Sequence, residues 1–282
     1  MGLFDLFGAK PSGKGGLRKQ AQKLTEKYGP PENRQKVIQQ LAQMGTPEAL
    51  LVLCSRFTIR ADPGITDDEE KESVREVLVA AGDRAVAPVK EFLESQESGI
   101  SWGLRVMADL RPPGDVVATA LRLLHKLGRE YSRDPEKKLV LLSWLAEHHG
   151  DLTGVLRAPT SGAPGDGTGE TTGPTSDTSS AVAPGASAPD LEDTLLPLLE
   201  DFSDDVRIAT VRLAALQPLT DRTRVALIEL LLRDADNARV RGEVLQALAD
   251  LGGDVKGYRP SVEALLVEPY FLDKEGRVKK RG

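Results

Sequence analysis

The chain has 282 residues, of which 28% are charged and 40% hydrophobic, the balance of a globular protein in water. Aromatic residues make up only 4%, which speaks against a sandwich, a barrel or an aromatic ligand pocket and for small aliphatic packing between helices. A formal charge of −6 argues against a nucleic-acid binder, which needs a concentrated basic face, and the single cysteine, Cys54, leaves no internal disulfide and no thiolate-rich zinc site.

The first element is a compact apolar cluster, Leu3, Phe4, Leu6 and Phe7, followed by Lys10, Lys14, Arg18, Lys19, Lys23 and Lys27 with few acids between them. Residues 1–30 are therefore set apart as an apolar and basic segment. It has three readings: a cap on the exposed end of a helical stack, a peptide that docks in a partner's groove, or a weak contact with an anionic membrane surface. In the last, each near-surface cation contributes about 1 kcal/mol. Leu6 stands where an acylation signal wants Ser or Thr. Gly8 to Lys14 fits the opening of a phosphate-binding loop, but Gly15 takes the place of the magnesium-binding hydroxyl and no strand precedes it, so a flexible basic linker is expected. Met1 to Phe7 lacks the basic start and long apolar run of a signal peptide, and no segment approaches ~18 apolar residues. The expected location is cytoplasmic, with a peripheral place at the inner face of the membrane as the variant.

From 31 to 157 the apolar residues recur every three or four positions, the period of an amphipathic helix, and turn signals divide them into pairs. Val37, Ile38 and Leu41 are followed by Met44-Gly45-Thr46-Pro47 and then Leu50, Leu51, Leu53 and Phe57, with glycine just past one helix and proline opening the next. Val74, Val77, Leu78 and Ala81 are followed across Gly82-Asp83 by Val86, Val89, Phe92 and Leu93. Leu104, Met107 and Leu110 are followed across Pro112-Pro113-Gly114 by Val117, Leu121 and Leu124, and a further helix runs from about Pro135 to Glu147. Cys54 reads as a small core residue, His125 as a packed or partly exposed side chain, and His148-His149 as a solvated helix end, since neighbours on a helix point to different faces. Trp102 and Trp144 are expected at core contacts between repeats.

Residues 158–189 switch to Gly, Pro, Ser and Thr with no Lys or Arg, a composition that cannot offset its ordering entropy, so a disordered insertion is expected inside one repeat. Its flanking helices, ending near His149 and running from Leu191 to Leu199, are expected to pair across it. Helical repeats resume over 190–267, and here two segments align: Asp204 to Leu216 matches Asn237 to Ala249, with Val206-Arg207 and Val240-Arg241 offset by 34 positions. Each is followed by a second amphipathic run, Val225 to Leu232 and Val262 to Leu266. The tail, 268–282, reads as a short hairpin or extended strip with a basic end.

Asp-Asp-Val-Arg at 204–207 with Ala209, and Arg-Val-Arg at 239–241, resemble HEAT repeats of the phycobilisome-lyase-like type. The resemblance implies an all-α chain, an α-solenoid of about six antiparallel helix pairs, with second helices lining a concave surface that holds a partner. It also implies a structural ladder between repeats, carried here by Asp204, Arg207 and Arg241, with Asp236 standing in for the acid that Asn237 lacks. The expected function is a non-enzymatic scaffold or adaptor for a protein partner, with no catalytic residue, cofactor or metal. A membrane-associated component held by Leu3, Phe4, Leu6 and Phe7 is the alternative, and a nucleic-acid-binding HEAT-like protein, poorly matched to an acidic chain, the second.

Overall fold

The computed structural model describes residues 14–152 and 189–281. Leu3, Phe4, Leu6 and Phe7, the phosphate-loop-like stretch up to Gly13, and all but the last residue of the 158–189 insertion lie outside the described residues.

The described chain is helical apart from one C-terminal hairpin. Helices α1 (Lys14–Leu24), α2 (Pro31–Met44) and α3 (Pro47–Cys54) open it, and a 3₁₀ turn (Ser55–Thr58) ends α3. Next come α4 (Gly64–Ala80), α5 (Asp83–Ser95), α6 (Ile100–Leu110), α7 (Pro113–Leu127) and α8 (Glu136–Glu147). After residues 153–188 follow α9 (Leu191–Leu195), a 3₁₀ segment (Leu196–Glu200), α10 (Asp204–Ala215), α11 (Asp221–Arg233), α12 (Ala238–Leu251) and α13 (Arg259–Glu263). Strands β1 (Tyr270–Leu272) and β2 (Val278–Lys280) pair antiparallel with Phe271 opposite Lys279.

Local chemistry sets the boundaries. Pro31, Pro47 and Pro113 each occupy the first turn of a helix, where a missing N–H costs nothing. Thr46, Asp190, Ser203, Thr220 and Asn237 each accept a backbone N–H of the first turn through the side chain. Gly45 closes α2 at φ 56°, returning its N–H to Leu41 at 3.1 Å, a left-handed conformation that a side chain would strain. Pro197 explains why the run from Leu191 to Leu199 is not one helix: it has no N–H to donate, and the chain tightens into 3₁₀ geometry around it. Pro260 sits in the first turn of α13, which ends at Glu263, so Leu265 and Leu266 fall beyond the helix expected to contain them.

Packing follows two rows. The first helices of the pairs touch in succession, α2 to α4 to α6 to α8 to α10 to α12. On the other side α1 packs on α3, α3 on α5, α7 on α9, the 3₁₀ segment on α11, and α11 on α13. Helix α1 closes the first end by burying Ala21 and Leu24 against α2 and α3. At the other end the hairpin lays Val278 on α12, and Gly253 accepts the Val278 N–H at 3.2 Å. Leu152, before the insertion, and Leu191 and Leu195, after it, belong to one buried cluster with Leu141, Leu142 and Leu145. That cluster runs back to Ala21. A second gathers around α11 and α12, and α10 serves both, turning Val206 and Leu213 to one and Ile208 and Val211 to the other.

Candidate functional site

Charged side chains enter this structure in two settings. Near the N-terminal end, Arg34 from α2, Arg56 from the 3₁₀ turn, and Asp67, Glu70 and Lys71 from α4 are all buried. Glu70 accepts from Arg34 Nε at 2.8 Å and Nη2 at 3.0 Å, and from Arg56 Nε at 2.8 Å. Arg56 Nη2 reaches Asp67 at 2.6 Å, while Asp67 takes Lys71 Nζ at 2.7 Å and the Ala61 N–H at 2.9 Å. Arg34 Nη1 donates to the carbonyls of Glu26 and Gly29, at 3.1 and 2.7 Å, which ties the α1–α2 connection to α4. Burial by itself raises the Asp67 carboxyl, but the bonds from Lys71, Ala61 and Arg56 outweigh it and hold the carboxyl below its usual range. Five buried charges that take one another as partners read as a structural joint between helices.

Two lysines serve similarly at the middle of the chain. Lys138 Nζ meets buried Asp201 at 2.6 Å and the Glu130 carbonyl at 2.6 Å, linking α8 to the turn before α10. Lys137 Nζ donates to the Glu94 and Gln96 carbonyls at 3.2 and 2.7 Å, supplying the end of α5 with a cation where the helix dipole favours one. Burial pushes its ammonium below the ordinary lysine range, only partly offset by Glu97.

Between α10 and α12 the charges are less deeply placed. Arg207 pairs with Asp204, donates to the Asp201 carbonyl, and lies 2.9 Å from Asp234 through Nε. Arg241 repeats the carbonyl bond, reaching back six residues to Ala235 at 2.7 Å as Arg207 reaches back to Asp201. Asp234, not the exposed Asp236, is the carboxylate that meets Arg207. Asn237 bridges for itself, donating Nδ2 to Asp204 at 2.6 Å while its oxygen caps α12. Asp234 follows directly on α11, whereas Asp236 lies exposed in the turn before α12.

The remaining candidates are packed or peripheral. Cys54 is fully buried, donates to the Leu50 carbonyl, and burial pushes its thiol up, away from the nucleophilic thiolate. Exposed His125 joins α7 to α9 through Thr194 Oγ1 at 3.1 Å, and the His148 ring stacks on Trp144 at 4.3 Å. Trp102 lies flat on Phe57 at 5.7 Å. Both tryptophans are half-buried and pack against the core from its margin, with Arg105 over the Trp102 ring at 5.1 Å. Among the described residues no three His, Cys, Asp or Glu side chains converge as a metal site requires, and no helix is long and apolar enough to cross a membrane.

Among the described residues, grooves of a size to receive a partner's side chains lie on both rows of helices. One, of about 640 Å³, lies between α6 and α8, floored by Leu139, Val140 and Trp144 and reached by Asp205 of α10. The larger, of about 920 Å³, lies on the opposite row between the 3₁₀ segment and α11. Leu196, Pro197, Val225 and Ala226 make its apolar floor, and Asp193, Glu200, Asp221 and Glu229 bring carboxylates to it. Arg129 pairs with Glu200 at 2.7 Å and Arg222 with Asp193 at 2.8 Å. Two residues beyond Arg129 and Glu200, Tyr131 and Phe202 meet edge to face at 5.5 Å, each 70% exposed. No family model matches the chain, and comparison with curated proteins finds no match.

Proposed function

We propose that this chain is an α-solenoid of HEAT-like helix pairs that works as a non-enzymatic scaffold, holding a protein partner along the row of second helices. The observation that carries the reading is the recurrence of hydrogen bonds between residues one repeat length apart. Arg75 reaches Asp109, Arg239 reaches Asp205 and Arg233 reaches the Leu199 carbonyl, each across 34 residues of sequence. The recurrence of this one spacing, which is also the offset of the two aligned C-terminal segments, supports helix pairs that stack at a regular repeat. The two rows of helices, the cap formed by α1 and the closing hairpin support the same reading. So does the use of converging polar groups for internal joints.

Photo-crosslinking residues placed one at a time on the exposed faces of α5, α7 and α11, with the chain expressed in its native host, test the proposal. A single protein trapped from several of these helices is the expected result. Trapping from none of them, or only from the first-helix row, overturns the assignment of the surface.

A further inference from the structure

Along α11, Asp221, Val225 and Glu229 are four residues apart and so form one stripe, with the apolar side chain between two carboxylates that stand about 12 Å apart at the helical rise. This stripe is one wall of the 920 Å³ groove, and Leu196 and Pro197 face it from the 3₁₀ segment. The other acids of the groove are matched: Glu200 has Arg129, and Asp193 has Arg222. Among the described residues Asp221 has only Arg224, at 3.4 Å, with its side chain 96% exposed, and Glu229 is exposed with no salt bridge. The unmatched charge is thus negative and flanks an uncovered aliphatic floor.

We propose that this groove docks a helical segment of a partner protein in which an aliphatic anchor is flanked, one turn to each side, by lysine or arginine. The proposal rests on the scaffold reading and deepens it by naming the site and the chemistry of the segment. A helix of that pattern places its cations at the same spacing as Asp221 and Glu229 while its anchor fills the floor over Val225. The desolvated anchor supplies most of the affinity and the rim charges supply orientation and rate.

The test pans a random-peptide display library on the full-length chain and then measures the enriched peptides by fluorescence anisotropy. Enriched sequences are expected to carry Leu or Ile with Lys or Arg three or four residues to either side. Their affinity falls about tenfold or more in Val225→Asp and in Glu229→Lys, and stays within about twofold in Glu147→Lys, a charge reversal in the other groove. Glu229 is exposed, so Glu229→Lys decides the matter even if Val225→Asp perturbs the helix. Enrichment of acidic or uncharged peptides, equal binding by Glu229→Lys, or no enrichment overturns the proposal. A native partner crosslinked to the second helices and held equally by Glu229→Lys removes this groove while leaving the scaffold reading in place.

Discussion

The joint around Glu70 and the ladder around Arg207 use the same side-chain types to lock neighbouring helix pairs, in different surroundings. At the N-terminal end Arg34, Arg56 and Glu70 are within 1–2% of complete burial. Between α10 and α12, Arg207 and Asp234 keep 13% and 12% of their side-chain surface, and the outer pairs Asp205–Arg239 and Arg212–Glu243 face solvent. A buried ion pair has surrendered its hydration, so its partners depend on one another. An exposed pair can return to water when either member is lost. The two ends should therefore respond very differently to the removal of one charge.

The largest effect is expected for Glu70→Gln, which removes the carboxylate that Arg34 and Arg56 share. Arg56 keeps Asp67 but Arg34 keeps only backbone carbonyls, and the change should destabilise the protein by about 3–5 kcal/mol, roughly 10 °C in Tm, measured by thermal and urea unfolding. Replacing the cluster together, with Arg34→Met, Arg56→Met and Glu70→Leu, should recover much of that loss. If Glu70→Gln unfolds with the wild-type protein, the joint is wet in solution and the contrast collapses. Lys138→Met strands buried Asp201, which retains only the Ser203 N–H, and should destabilise by about 3 kcal/mol in the same assay. For Asp234→Ala, between the two regimes, the expected loss is about 1–2 kcal/mol.

The acid limb sharpens the comparison. Folding holds the Asp67 carboxyl below its unfolded-chain value near ~4, so the stability it contributes is complete above that value and is lost as the pH falls through the folded-state value. Asp67→Asn should flatten the decline in stability between neutral and strongly acid pH, and an unchanged decline would place the acid sensitivity elsewhere. Smallest of all is Arg239→Ala, whose partner Asp205 is as exposed as itself. A loss above about 0.5 kcal/mol, or one insensitive to added salt, would show that the ladder is more than a solvated pair.

Much of the helix plan is legible in the residues, because apolar spacing and turn chemistry are local. Val37, Ile38 and Leu41, or Val240, Val244 and Leu248, must share a helix face, and each of them is buried. The joint at Glu70 left a fainter trace. Arg34 continues the stripe of Val37, Ile38 and Leu41 one turn back, and Glu70 that of Val74 and Leu78, so opposite charges stand where apolar residues belong on neighbouring first helices. That pattern announces a buried pair only to a reader who already knows which helices touch. The larger groove is less legible still, since Leu196 and Pro197 lie in a 3₁₀ segment that the spacing alone assigns to a regular helix.

Helix positions, caps and the offset of the last two repeats follow from the amino-acid sequence by itself, because each depends on neighbours within one or two turns. Which charges are buried, that Asp234 rather than Asp236 meets Arg207, and that Asp221, Val225 and Glu229 face an apolar floor follow only from the tertiary structure. Most of those features join residues far apart in the chain, 36 positions for Arg34 and Glu70 and 63 for Lys138 and Asp201, and their energies are set by the water that packing excludes, a quantity no local pattern contains.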